Sequence, residues 1–119
     1  MNNVLIVEDD PLSAEFLKIF LEATGYSVAS ADSVASFAAA LKVQTPQVIL
    51  TDIELPDGTG DEVAQIARAS GVSVVYALSG YSKTQLKDRK LAVELFTGFL
   101  TKPIDLDQVS QILANAKET

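Results

Sequence analysis

Short, continuously apolar runs alternate along the chain with segments whose apolar residues recur every three or four positions. The first run, Val4-Leu5-Ile6-Val7, ends at three carboxylates, Glu8, Asp9 and Asp10. Leu12, Phe16, Leu17, Ile19, Phe20 and Leu21 then fall at helical spacing, with Asp10 as N-cap, Pro11 in the first turn and Gly25 as terminator. Tyr26-Ser27-Val28-Ala29 is a weaker strand. Residues 33–42 read as a helix whose inner side is Val34, Phe37, Ala38 and Leu41, and Thr45-Pro46 breaks it. Val48, Ile49 and Leu50 suit a strand buried on both faces; it stops at Asp52, and Leu55-Pro56-Asp57-Gly58 reads as a turn. A third helix is predicted over 61–70 through Val63, Ala64, Ile66 and Ala67, closed by Gly71. The run from Val72 through Leu78 is a fourth strand ending at Ser79-Gly80, and residues 82–95 are a fourth, less clearly amphipathic helix. Phe99-Leu100 forms a short fifth strand before Lys102-Pro103. Asp105 caps a last helix striped by Leu106, Val109, Ile112 and Leu113.

Five strand–helix repeats at this spacing predict parallel strands joined by right-handed crossovers, with helices on both faces of the sheet. A chain of 119 residues is expected to form one domain spanning 1–119, with 48% hydrophobic and 21% charged residues fitting an ordinary globular fold. The starting Met1 and the lack of a linker favour a stand-alone protein without an output domain. Cysteine and histidine are both absent, which excludes disulfides, thiolate or imidazole metal sites and serine–histidine triads. A net charge of −7 opposes direct contact with nucleic acid or anionic lipid. With no basic signal region and no apolar run of membrane-spanning length, a cytoplasmic protein is expected.

Parallel strands bring their carboxyl ends to one edge, where ligands bind in open α/β sheets. The residues just past those ends are Glu8-Asp9, Asp52, Ser79 and Lys102. An aspartate in the position of Asp52 can be a metal ligand, a general base, a phosphoryl-accepting nucleophile, or simply a turn or helix cap. Lys102 alone could be a solvated lysine, Ser79-Gly80 alone a turn, and Phe99 alone a core residue. Their convergence separates these readings. Close carboxylates repel unless a cation joins them, and an all-oxygen donor set suits Mg²⁺. Lys102 cannot hold a metal, so its place beside one makes sense if an anion links the two. The obvious anion is a phosphoryl group, with Ser79 donating to another of its oxygens and Asp52 forming the mixed anhydride.

Val4-Leu5-Ile6-Val7-Glu8-Asp9-Asp10, Thr51-Asp52-Ile53-Glu54-Leu55-Pro56-Asp57-Gly58, Ser79-Gly80 and Phe99-Leu100-Thr101-Lys102-Pro103 together resemble the receiver domain of two-component response regulators. The resemblance spans nearly the whole chain, with four motifs in register. It implies a flavodoxin-like (βα)5 doubly wound sheet, strand order 2-1-3-4-5. It implies Asp52 as phosphoacceptor, supplied by a sensor histidine kinase or histidine phosphotransfer protein. Mg²⁺ would be held by Asp52, directly by Asp9, through water by Glu8, and by the backbone carbonyl of Glu54. Lys102 would pair with the phosphoryl group, while Ser79 and Phe99 act as switch residues. A downstream protein would read the face made by the fourth helix, fifth strand and last helix. The resemblance also implies a cis bond before Pro103, and a regulatory domain that supports only its own phosphotransfer and dephosphorylation.

Two competing readings are a haloacid-dehalogenase-like phosphohydrolase, loosely matched by Asp52-Ile53-Glu54, and a receiver-like binding module not controlled by phosphorylation. Against the first, Pro56 stands where that signature has Thr or Val, and the acidic pair lies upstream of Asp52. The chain departs from the receiver pattern at Leu95-Phe96, where a Gly-Ala-like turn is usual. The turn then closes at Gly98 or the fourth helix runs on, and Phe96 is either buried or a partner contact. Lys83, Lys87, Arg89 and Lys90 carry four of the nine basic residues, either a solvated helix face or a docking patch for an acidic partner. Glu54, two residues past Asp52, and Tyr81, two past Ser79, are expected to flank the path of hydrolytic water and tune phosphoaspartate lifetime.

Overall fold

A computed structural model describes residues 3–117. Five parallel strands form the sheet: β1 (Asn3–Val7), β2 (Ser27–Ala31), β3 (Val48–Asp52), β4 (Val75–Ser79) and β5 (Gly98–Thr101). Their spatial order is β2-β1-β3-β4-β5, as expected. Helices α1 (Pro11–Ala23), α2 (Val34–Val43), α3 (Gly60–Ala69), α4 (Lys83–Asp88) and α5 (Leu106–Lys117) cover it. The continuous apolar runs follow from burial on both sides. Leu5, Val7 and Ile49 face a core shared with Phe37 of α2, Val63 of α3 and Leu86 of α4. Val4, Ile6, Val48 and Leu50 face a second core with Leu17 and Leu21 of α1 and Val109 and Leu113 of α5. The expected turn after β3 is the tip of a two-residue antiparallel hairpin, pairing Glu54 with Thr59 and Leu55 with Gly58. No helix among the described residues is long and apolar enough to cross a membrane.

The helix ends follow one design. After α1 and α3, Gly25 (φ 100°) and Gly71 (φ 93°) adopt the left-handed region, and the next amides, Tyr26 N and Val72 N, return to Leu21 O and Ala67 O. This is why β4 starts at Val75 rather than at Val72: Val72 completes the end of α3. The fourth helix ends the same way and much earlier than its expected limit at 95. Lys90 takes φ 64°, its amide bonds Lys87 O, and Leu91 N bonds Leu86 O. A Cβ in that region costs about 1–2 kcal/mol. Replacing Lys90 with Gly is therefore expected to raise the unfolding free energy, and with it the midpoint, by up to about 1 kcal/mol of stability, less the entropy that glycine adds to the unfolded chain. A lower midpoint at unchanged denaturant slope would contradict this.

Residues 89–97 replace the expected continuation of the helix. They contain a 3₁₀ turn, Val93–Leu95, tied to α3 by Arg68 Nε donating to Leu95 O at 2.6 Å and by Ala92 N donating to Asp61 Oδ2 at 3.0 Å. The turn into β5 closes at Thr97, not at Gly98. Thr97 N donates to Val75 O (2.7 Å), and Thr97 Oγ1 accepts from Val75 N and donates to Ser73 O. A side chain thus does what glycine was expected to do. Phe96 is buried, its ring 5.4 Å from that of Phe99.

On α1, Leu17 and Leu21 are buried, but Leu12, Phe16 and Ile19 are 82%, 61% and 58% exposed. Apolar residues here occupy more of the helix circumference than the sheet can cover, so helical spacing alone overstates the buried stripe. α2 is anchored from a distance. Besides its own Ser33 cap, Val34 N and Ala35 N donate to Asp57 Oδ1 and Oδ2 at 2.7 and 3.0 Å. These two bonds hold the Asp57 carboxyl below its ordinary value. A carboxylate depressed in the folded state adds stability above its unfolded pKa and loses it as pH falls through the folded one. Asp57→Ala is expected to unfold at lower denaturant at neutral pH and to show a shallower further loss down to about pH 3. Wild-type stability at neutral pH would refute the anchoring role.

Candidate functional site

β1, β3, β4 and β5 end on the same edge, because each is parallel to its neighbour and in close register. Asp52 is the last residue of β3 and Ser79 the last of β4; Glu8 and Asp9 follow β1, and Lys102 follows β5. The expected convergence is present. Lys102 Nζ lies 3.3 Å from Glu8 Oε2 and 3.3 Å from Asp52 Oδ2. Asp52 Oδ1 accepts from the amide of Ile53 at 2.8 Å, so its two oxygens are held by different partners. Asp9, Asp52, Ile53, Glu54, Ser79, Gly80, Tyr81 and Lys102 line a cleft of about 320 Å³. The Lys102–Pro103 bond is cis.

The electrostatics are those of a crowded anionic site. Glu8 is only 5% exposed, and burial is the main cause that raises its carboxyl above the ordinary value; the Asp52 charge adds to it against the Asp10 amide and Lys102. Burial alone would lower the Lys102 ammonium, but Asp52 and Glu8 together hold it above its ordinary value. One carboxylate oxygen from each of Glu8, Asp9 and Asp52 lies within 4.8 Å of the others. Direct Mg²⁺ ligands sit about 2.1 Å from the ion, hence at most about 4.2 Å apart. Three carboxylate oxygens gathered this closely can share one ion, each directly or through water. An all-oxygen donor set with one raised carboxylate fits a hard divalent cation, which would relieve the repulsion.

Ser79 is 3% exposed, and its Oγ accepts from Tyr81 N at 2.9 Å, leaving its own proton to be donated. Phe99 lies outside the cleft, half-buried and packed against Phe96 and the core on the α2–α3–α4 side. The Glu54 side chain does not join the carboxylate cluster; it is 69% exposed and pairs with Arg89 Nη1 at 3.0 Å. Sequence spacing did not single out Arg89 within its basic segment, nor Gly60. An added Cβ at Gly60 would stand 2.5 Å from Asp52 O. The Asp57-Gly58-Thr59-Gly60 stretch that leads out of the turn was the available sign that backbone passes close to backbone there.

Comparison with known proteins agrees with this geometry. The family described as "Response regulator receiver domain" matches residues 4–114. The response regulator protein PilR of Pseudomonas aeruginosa is 33% identical over 113 residues, covering 94% of this chain and 25% of PilR. The probable transcriptional regulatory protein TcrX of Mycobacterium tuberculosis is 30% identical over 109 residues, covering 89% of this chain and 45% of TcrX. The chain thus spans less than half the length of these two relatives. A solved response regulator receiver domain (CheY-like) from Methylobacillus flagellatus superposes with a TM-score of 0.85 at 32% identity, covering 98% of each chain. That likeness identifies the sheet and its helices as a CheY-like flavodoxin fold. With its family matched over residues 4–114 and its acids and lysine gathered at the carboxyl edge of such a sheet, the chain belongs to the receiver domains of two-component response regulators.

Proposed function

We propose that Asp52 accepts a phosphoryl group in a Mg²⁺-dependent reaction from a phosphohistidine on a sensor kinase or phosphotransfer protein. The observation that carries this reading is the Lys102 ammonium 3.3 Å from Asp52 Oδ2, in a cleft where Glu8, Asp9 and Asp52 face one another. Glu8, Asp9, Asp52 and the carbonyl of Glu54 would hold Mg²⁺. When bound, the ion would neutralise the acids and stabilise charge on the phosphoryl oxygens. An Asp52 carboxylate oxygen attacks phosphorus as the phosphorus–nitrogen bond breaks, its electron pair returning to the donor imidazole. Lys102, now paired with Asp52, takes a phosphoryl oxygen instead. Ser79 turns its hydroxyl toward another oxygen and gives up the bond from Tyr81 N. That movement, with a change at Phe99, alters the face made by α4, β5 and α5. A downstream protein reads that face. The charge of −7 disfavours direct contact with nucleic acid, and a cytoplasmic site of action follows from the kinase partner.

The phosphohydrolase reading loses its support, since Glu54, its second acid, pairs with Arg89 outside the carboxylate cluster. Incubation with acetyl phosphate and Mg²⁺, followed by mass spectrometry, is expected to show one phosphoryl group per chain, absent with chelator. Phosphomonoesters should not turn over. A wild-type chain that takes up no phosphoryl group would favour the binding-module reading.

A further inference from the structure

Arg89, the C-terminal cap of α4, reaches back to the cleft. Its Nη1 donates to Glu54 Oε1 at 3.0 Å while its Cζ lies 4.3 Å from the centroid of the Tyr81 ring. Glu54 and Tyr81 both line the cleft, one on the wall that follows β3 and the other on the wall that follows β4. A planar guanidinium can stack on an aromatic ring and donate in its own plane to a carboxylate at once; a lysine ammonium lacks that plane. One side chain therefore bridges both walls. We propose that Arg89 is a positioning residue that straps the mouth of the cleft and slows hydrolysis of the acyl phosphate on Asp52. The inference rests on the phosphoacceptor reading of Asp52.

Hydrolysis requires a water oxygen to bond to phosphorus roughly in line with the bond that breaks. The electron pair of the broken phosphorus–oxygen bond returns to the Asp52 carboxylate, a water proton passes to solvent, and inorganic phosphate leaves. The Asp52 side chain is 16% exposed at the strand end, so attack opposite it comes from the solvent side, between Glu54 and Tyr81. Both members of the ion pair are well exposed, Arg89 by 49% and Glu54 by 69%. The strap is thus weak enough to open and sensitive to salt.

The test measures decay of the phosphorylated protein, prepared with acetyl phosphate and Mg²⁺ and then freed of donor. Arg89→Ala is expected to decay about three- to tenfold faster than wild type at low salt, with Arg89→Lys between them. Raising sodium chloride to about 1 M should speed wild-type decay and leave Arg89→Ala unchanged. In the unphosphorylated protein, the Arg89 Cδ protons should show an upfield ring-current shift in NMR spectra that Tyr81→Ala abolishes. Equal low-salt decay of wild type and Arg89→Ala, or an equal salt response, overturns the strap while leaving the phosphoacceptor in place. Absence of any adduct on the wild type overturns the phosphoacceptor reading and the strap with it.

Discussion

Asp52→Asn is expected to carry no phosphoryl group after incubation with acetyl phosphate and Mg²⁺, where wild type carries one. An amide oxygen is neutral and a poor nucleophile, and displacing the transferring group needs the carboxylate's lone pair and charge. The substitution should cost little stability. Asparagine can still accept the Ile53 amide through Oδ1, and Lys102 keeps Glu8 as a partner. One of the charges that raise the Glu8 carboxyl, second to its burial among the raising causes, is removed. Loss of the adduct in a folded variant therefore reports chemistry at residue 52. A phosphoryl group of wild-type stoichiometry on Asp52→Asn would move the acceptor elsewhere and end the proposed reading.

Gly60→Ala is expected to have the largest effect on stability among the glycines, and to disable the site as well. Its Cβ would stand 2.5 Å from Asp52 O, 3.1 Å from Ile53 Cα and 3.3 Å from Asp52 C. All three are backbone atoms at the end of β3, and Gly60 N donates to Ile53 O at 2.7 Å, so the helix start cannot back away without losing that bond. Overpacking of this kind costs about 1–3 kcal/mol, which for a domain of this size lowers the melting temperature by on the order of 10 °C. Relief of the clash pushes on Asp52 itself, so phosphoryl uptake should fall even well below the melting temperature. Gly80→Ala is the matched control: nothing lies within 4 Å of its Cβ position, and its melting temperature should stay near wild type. If Gly60→Ala melts with Gly80→Ala and wild type, the close approach of α3 to β3 is not as tight as drawn.

The resemblance to receivers and the strand-end argument reached the same five residues independently, and four of them are explained by topology alone. Glu8, Asp9, Asp52 and Lys102 each sit within two residues of the end of an apolar run, so parallel alignment was enough to bring them together. Ser79 was legible for the same reason, but its bond from Tyr81 N depends on the turn that follows β4. The fourth helix was misjudged in length because its sequence lacks a glycine stop. Lys90 fills a left-handed position that sequence preference assigns to glycine, and only the return bonds from Lys90 N and Leu91 N reveal it. Phe96 could not be placed from its neighbours, since its burial depends on Thr97 closing the turn into β5.

What the amino-acid order determined by itself was the alternation of apolar runs and amphipathic segments, the acids and amine that terminate those runs, and the absence of imidazole or thiolate metal donors. These are properties of neighbours along the chain, and parallel strands convert them directly into neighbours at one edge. Tertiary structure alone decided that Asp57 holds the start of α2, that α1 leaves Leu12, Phe16 and Ile19 in solvent, and that Arg89 bridges Glu54 and Tyr81. Each joins or separates elements whose relative position depends on how whole helices seat on the sheet and how loops return. No periodicity within a single segment records that.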